Sequence, residues 1–292
     1  MITILDGGMG RELERMGAPF RQPEWSALAL MEAPDTVRDA HLSYVQAGAE
    51  VLTTNAYACV PFHIGEERFA DMGRDLIGLA GKLAREAADT GEGVRVAGCI
   101  PPLFGSYNPQ LFDAARAPDI LMPLIEAQAP YVDFWLVETL SSVEEALFVT
   151  AALAKTGKPI WLAFTLRDYY EDHPPQLRSR ELLSEALSAI KDLPIEAVLF
   201  NCSQPETMTP ALQIAAAQLD GRFRLGVYAN AFDDIRKGHK SNEVVSALRE
   251  DLIEDTSTYL EFCQHWINLG ARIIGGCCGI GPAHIKALCD LK

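Results

Sequence analysis

The sequence predicts an α/β protein, folded as a single-domain (β/α)8 TIM barrel over residues 1–292. Eight short runs rich in β-branched and aliphatic residues recur along the chain, and a segment of helical periodicity follows each. Their spacing averages about 36 residues, close to what a closed parallel barrel of ~250 residues requires. No Pro/Gly/Ser-rich linker or low-complexity tract divides the chain. An open doubly wound sheet shares the same alternation and is the alternative architecture.

The strand runs, in order, are ITILD ending at Asp6, AEVLTT at Thr54, VRVAGCI at Ile100 and VDFWLVE at Glu138. The second half supplies PIWLAFT ending at Thr165, IEAVLF at Phe200, FRLGVYA at Ala229 and ARIIGG at Gly276. Between them, TVRDAHLSYVQAG and TYLEFCQHWINLG place apolar residues at helical spacing and end in Gly48 and Gly270. Ser142 followed by Glu145 is a capping box, and Gly157 with Pro159 closes the helix it opens. The connections 166–180 and 230–255 are long and polar; on this side of a barrel such loops read as lids or binding loops, the alternative being surface decoration.

With 25 Lys+Arg against 40 Asp+Glu the formal net charge is -15, which excludes a nucleic-acid groove or an anionic membrane surface as the expected partner. A cationic or zwitterionic small ligand fits better. The N-terminal MITILDGGMG enters an apolar run with no basic leader or cleavage site, and no stretch approaches the ~18 apolar residues of a membrane helix, so a cytoplasmic protein is expected. Nothing in the sequence sets the oligomeric state, and a monomer or small homo-oligomer is expected.

In a barrel the reactive groups collect at the C-terminal strand ends, and here those positions carry Asp6, Cys99, Glu138, Asn201-Cys202, Tyr228 and Cys277-Cys278. Adjacent side chains on a regular strand point to opposite faces, so Cys277 and Cys278 converge only if Gly275, Gly276 and Gly279 release the backbone. Several thiolates at one point repel unless a cation sits between them, and a soft ion such as Zn2+ answers that need. A vicinal disulfide or inert buried thiols are the competing readings. Cys59 and Cys99 also lie near strand ends, so the residue pattern alone does not choose the ligands. None of the six histidines forms a metal-binding spacing.

Asp6 and Glu138 end apolar strands, where a carboxylate needs either a basic side chain or a ligand ammonium. LDGGMGREL carries a G-x-G after the first strand, a weak dinucleotide signal because the third glycine is missing; Gly7 and Gly8 can form a plain turn or let the backbone approach a ligand carboxylate.

Taken together, LDGGMGREL, PEWSALAL, HLSYVQAGAEVLTTNAY, LVET, FNCS and GARIIGGCCGIGPAHI resemble the homocysteine S-methyltransferase family along nearly the whole chain. The separated N-C and G-G-C-C elements are the specific part. The resemblance implies a (β/α)8 barrel with Cys202, Cys277 and Cys278 as Zn2+ ligands and catalytic centre, and it sets Cys59 and Cys99 aside. It implies that Asp6 and Glu138 hold the homocysteine amino group, with the Gly7-Gly8 backbone near its carboxylate. Trp25 and Tyr57 match aromatic positions around the sulfur and the methyl donor, and Asn201 joins the substrate-binding set.

The implied reaction is zinc-dependent methyl transfer from a small onium compound to L-homocysteine, giving methionine. S-methylmethionine is the favoured donor, with betaine or another methylated compound next. A homocysteine-activating module working with a separate corrinoid protein is a further alternative, and a non-enzymatic zinc-thiolate sensor a distant one.

Overall fold

The computed structural model describes residues 1–168, 173–232 and 248–292. Parts of both long connections, residues 169–172 and 233–247, lie outside the described residues. Eight parallel strands form one sheet: β1 (Thr3–Ile4), β2 (Val51–Thr53), β3 (Arg95–Ile100), β4 (Phe134–Leu140), β5 (Ile160–Phe164), β6 (Ala197–Asn201), β7 (Arg224–Tyr228) and β8 (Ala271–Ile274). Their order is β1-β8-β7-β6-β5-β4-β3-β2, and a parallel bridge between Leu5 and Val51 joins the two ends. The expected (β/α)8 barrel is therefore the architecture, and the open sheet is not.

Side chains alternate across each strand, which sorts the core into two layers. Val51, Ala97, Phe134, Leu136, Trp161, Ala197, Leu199 and Ile273 fill the barrel interior. Their neighbours Leu52, Val96, Trp135, Val137, Leu162, Val198 and Ile274 face the surrounding helices. Both faces are buried, which is why the strands read as continuous apolar runs rather than alternating ones.

All eight expected strands are present, with ends shifted by a residue or two. Asp6, Thr54, Thr165 and Gly275 lie just past the regular ladder, yet their N–H groups still bond across to the neighbouring strands, at Val51, Ala97, Leu140 and Val227, and the backbone pairing continues past the strand ends. Gly276 N–H, for example, donates to the Asp6 carbonyl at 3.0 Å, and Cys277 N–H donates to Ala229 at 2.9 Å. β4 and β6 instead run past Glu138 and Phe200.

The helix signals hold in position. Helix Pro34–Ala47 ends at Gly48 with φ 98°, and helix Thr256–Asn268 gives way to Gly270 with φ 108°. The capping box at helix Val143–Leu153 forms by half: Ser142 Oγ accepts from Glu145 N–H at 3.4 Å. The Glu145 carboxylate does not return to Ser142; it accepts from Leu103 N–H at 2.9 Å, where it supports the connection after β3. Among the described residues no helix is long and apolar enough to cross a membrane.

Candidate active site

The period-two alternation of each strand determines what enters the barrel mouth. In β4, Phe134, Leu136 and Glu138 share the inner face; in β6, Ala197 and Leu199 are followed on that face by Asn201. Cys202 comes next and would point outward on a regular strand. Its φ of 50° turns it back, and Thr165 Oγ1 and the Tyr107 hydroxyl hold its carbonyl at 3.2 and 3.4 Å.

Beyond β8, Cys277 packs against the inner cluster. Gly279, with φ 88°, lets the chain turn so that Cys278 reaches the same spot. Ala231 N–H donates to the Cys278 carbonyl at 2.8 Å, and Ile280 N–H donates to that of Cys277 at 3.0 Å. Gly8 also has to be glycine: a methyl there would lie 2.6 Å from the Cys277 carbonyl.

Three thiols result from this at one point. The Sγ atoms of Cys202, Cys277 and Cys278 all lie within 4.8 Å of one another, with Cys202–Cys277 at 2.9 Å and Cys277–Cys278 at 3.9 Å. All are free thiols. Four-coordinate ions held by bonds of ~2.3 Å keep their sulfurs about 3.7 Å apart, so the set fits a soft metal ion with little rearrangement. The three thiols hold their protons unequally: hydrogen bonding to Cys202 and Cys278, together with burial, pushes the Cys277 thiol well up, whereas hydrogen bonds from Cys202 and Cys277 hold Cys278 well below the usual thiol value.

Beside the thiols opens a cavity of about 190 Å³. Asp6 and Glu138 stand in its wall, and neither has a basic partner among the described residues. Asp6 accepts from Thr53 N–H at 2.7 Å and from Thr53 Oγ1 at 3.2 Å. Glu138 accepts from the Cys99 thiol at 3.0 Å and the Tyr228 hydroxyl at 3.3 Å. Burial raises the Asp6 carboxyl to about 8, with Glu138 adding repulsion and the Thr53 amide opposing. Burial likewise raises Glu138 to about 7. Two desolvated carboxylates facing one cavity without a counter-charge are suited to an ammonium group brought by a ligand.

The other sequence-derived positions fall as follows. Gly7, Gly8, Trp25 and Tyr57 line the cavity. The Gly8 amide is already bonded to the Ile280 carbonyl at 2.9 Å, so it is not free to bind a ligand carboxylate. The Trp25 indole N–H is buried with no hydrogen-bond partner, and the Tyr57 hydroxyl pairs with Ser106 at 2.5 Å. Asn201 does not line the cavity: its amide is occupied by Thr139, with Thr139 N–H donating to Oδ1 and Nδ2 donating to Thr139 Oγ1, both at 2.9 Å.

Of the two thiols left open, Cys99 is directed at Glu138, and Cys59 lies fully buried, its thiol nearest the Asn55 carbonyl at 3.9 Å. Residues that escaped the sequence reading also line the cavity: His63, Ser106, Tyr107, Thr139 and Phe232. For Ser106 and Tyr107 the signal was Gly105 in FGSY just past β3, where φ of 113° marks a sharp turn over the mouth.

A family model described as homocysteine S-methyltransferase matches residues 3–291. Among curated proteins, the chain is 30% identical to a homocysteine S-methyltransferase of Escherichia coli (strain K12), covering 98% of this chain and 94% of that one. It is 26% identical to an S-methylmethionine–homocysteine S-methyltransferase, BHMT2, of Pongo abelii, covering 99% of this chain and 78% of the other. Among solved structures, the metallated form of the homocysteine methyltransferase MmuM from Escherichia coli superimposes with a TM-score of 0.80 at 27% identity, covering 100% of this chain and 96% of that one.

Proposed function

Because the chain belongs to the homocysteine S-methyltransferase family, we propose that it transfers a methyl group from a small onium donor, S-methylmethionine foremost, to the sulfur of L-homocysteine. The observation that carries this reading is the placement of three converging thiols and two unpartnered buried carboxylates in one cavity. One set suits a metal, the other an ammonium group, and homocysteine carries a thiol and an ammonium on one short chain.

In this reading Cys202, Cys277 and Cys278 hold Zn2+, a soft ion that suits an all-sulfur donor set. When bound, zinc lowers the pKa of a fourth, substrate thiol so that its sulfur is a thiolate at neutral pH. Asp6 and Glu138 take the substrate ammonium, and the ion pairs that form offset the desolvation that burial imposes on both carboxylates. Gly7 and Gly8 line the same cavity, and their missing side chains make room for the Ile280 and Cys277 carbonyls that close the mouth behind them. Asn201 contributes through Thr139 rather than by touching substrate.

Trp25 and Tyr57 present aromatic faces to the donor side, where an onium cation gains cation–π attraction. The sulfur lone pair forms the new S–CH3 bond as the donor's bond to that methyl breaks, and the bonding pair leaves with the donor. An onium leaving group departs neutral and needs no proton, so no general acid is required of the protein. The main demand on the chain is alignment of sulfur and methyl within about 3–3.5 Å.

The test is methionine formation from L-homocysteine with S-methylmethionine, betaine and methylcobalamin in parallel, with and without a metal chelator, alongside metal analysis of the purified protein. Transfer from S-methylmethionine that stops on chelation and returns with zinc is expected. No transfer from any onium donor, or full activity in protein stripped of metal, would overturn the proposal.

A further inference from the structure

The two halves of the site come from strands that are not neighbours. Glu138 is on β4 and Cys202 follows β6, with β5 between them. In the β4–β5 pairing, Val137 is opposite Leu162 but Leu140 is opposite Phe164, so β4 carries one extra residue. Val137 and Leu140 both face the helices, and Glu138 faces the barrel. Thr139 is therefore the inserted residue of a β-bulge, a feature that re-aims side chains next to functional sites. Its φ of 59° is a conformation that a β-branched residue rarely adopts.

Such strain persists only when the surroundings over-determine it. Here Asn201 does so: its side chain passes over the end of β5 and grips Thr139 by two reciprocal 2.9 Å hydrogen bonds, one to the amide and one from Nδ2 to the hydroxyl. Both residues are fully buried. Asn201 directly precedes Cys202, itself held at a positive φ of 50°. One side chain thus ties the residue after the carboxylate anchor to the residue before the thiol ligand.

We propose that the Asn201–Thr139 clamp is a positioning device that sets the span between the ammonium anchor Glu138 and the thiol cluster, and thereby selects a four-carbon amino thiol over one a methylene shorter. This rests on the function proposed above, in which Glu138 holds the substrate ammonium and Cys202 belongs to the metal-binding set. Neither Asn201 nor Thr139 has to touch the thiol: the clamp acts through the backbone that carries the two anchors.

The experiment compares kcat/KM for L-homocysteine and L-cysteine in metal-loaded wild type, Asn201→Ala, Thr139→Ser and Thr139→Val, with zinc content and Tm recorded for each. The ratio of the two values on one preparation does not depend on how much of it is folded, so simple destabilisation leaves it unchanged. Wild type should strongly prefer homocysteine. Asn201→Ala should lose about 100-fold in kcat/KM for homocysteine, as expected for a misplacement near 1 Å, and its homocysteine-to-cysteine ratio should fall at least about tenfold with zinc retained. Thr139→Val, which keeps the branching but lacks the hydroxyl, should move the ratio the same way, and Thr139→Ser should restore it. Wild-type protein that methylates homocysteine selectively while Asn201→Ala keeps the same ratio would overturn the clamp alone. Wild-type protein that methylates no thiol would overturn the proposed function and the clamp with it.

Discussion

Replacing Glu138 with Gln should move activity and stability in opposite directions. The carboxyl is buried, and burial, opposed by the Cys99 and Tyr228 hydrogen bonds, raises it from the usual 4.5 to about 7. A carboxyl whose native pKa lies above its unfolded one costs nothing below the unfolded value, and its full cost is present above the native value. At about 1.4 kcal/mol per pH unit, the interval from 4.5 to about 7 makes ionised Glu138 cost the fold about 3 kcal/mol at pH 8. Glutamine has nearly the same shape and still offers an acceptor to Cys99 or Tyr228. Glu138→Gln should therefore be more stable than wild type at pH 8, by up to about 3 kcal/mol, with the gap closing as pH falls to 4.5. Removing one partner of a buried ion pair costs 3–5 kcal/mol. Because Asp6 remains, the low end applies, so kcat/KM for homocysteine should drop roughly 150-fold. Urea unfolding at pH 5 and 8, and initial rates at pH 8, read the two effects. Activity within threefold of wild type would remove Glu138 as the ammonium anchor. Destabilisation at both pH values would show that its burial is not the strain described here.

Glu145→Gln serves as the control: Glu145 is also buried and raised to about 7 by burial, against the Leu103 amide bond. By the same sign, the variant should gain up to about 3 kcal/mol at pH 8 and nothing below 4.5 in urea unfolding, yet keep wild-type kcat/KM, because Glu145 does not line the cavity. Cys277→Ala should lose bound zinc in metal analysis and abolish methyl transfer; retained activity would rule out the thiol cluster as the reaction centre. Gly7→Ala should lower Tm by the equivalent of about 2 kcal/mol or more and raise KM for homocysteine, since the new methyl would collide with the Ile280 carbonyl and lie 2.9 Å from the Tyr44 ring.

The barrel was legible because the strand runs are buried on both faces and three of the helical segments carry their own glycine stop signal, so local pattern and global fold agree. Gly48, Gly157 and Gly270 all adopt the positive φ their positions suggested. Strand ends were less legible. A bulge such as that at Thr139 leaves no trace in apolar periodicity: Val137 and Leu140 are apolar whether or not an extra residue lies between them. The capping box misled in one respect, because Glu145 has the right spacing to bond Ser142, but the Leu103 amide across the βα connection is the partner it takes.

The site divides along the same line. Cys277 and Cys278 stood out because flanking glycines can turn adjacent sulfurs to one point, where thiolates need a cation between them, and Asp6 and Glu138 because a carboxylate ending an apolar strand needs a partner. These are signals each residue carries in its own neighbourhood. Cys99 and Asn201 carried no such signal. Cys99 lies 39 residues from Glu138, and Asn201 lies 62 residues from Thr139, so their partners became visible only once the barrel had brought those strands together. Cys99 looked like a spare metal ligand and is a hydrogen-bond donor to the carboxylate; Asn201 looked like a substrate contact and grips the strand that carries that carboxylate. Both act on Glu138, from either side of β4. A single carboxylate held by a thiol, a phenol and a clamped bulge is restrained far more than charge neutralisation of an ammonium requires. Restraint of that kind is useful when the anchor must also set a distance to a reacting sulfur.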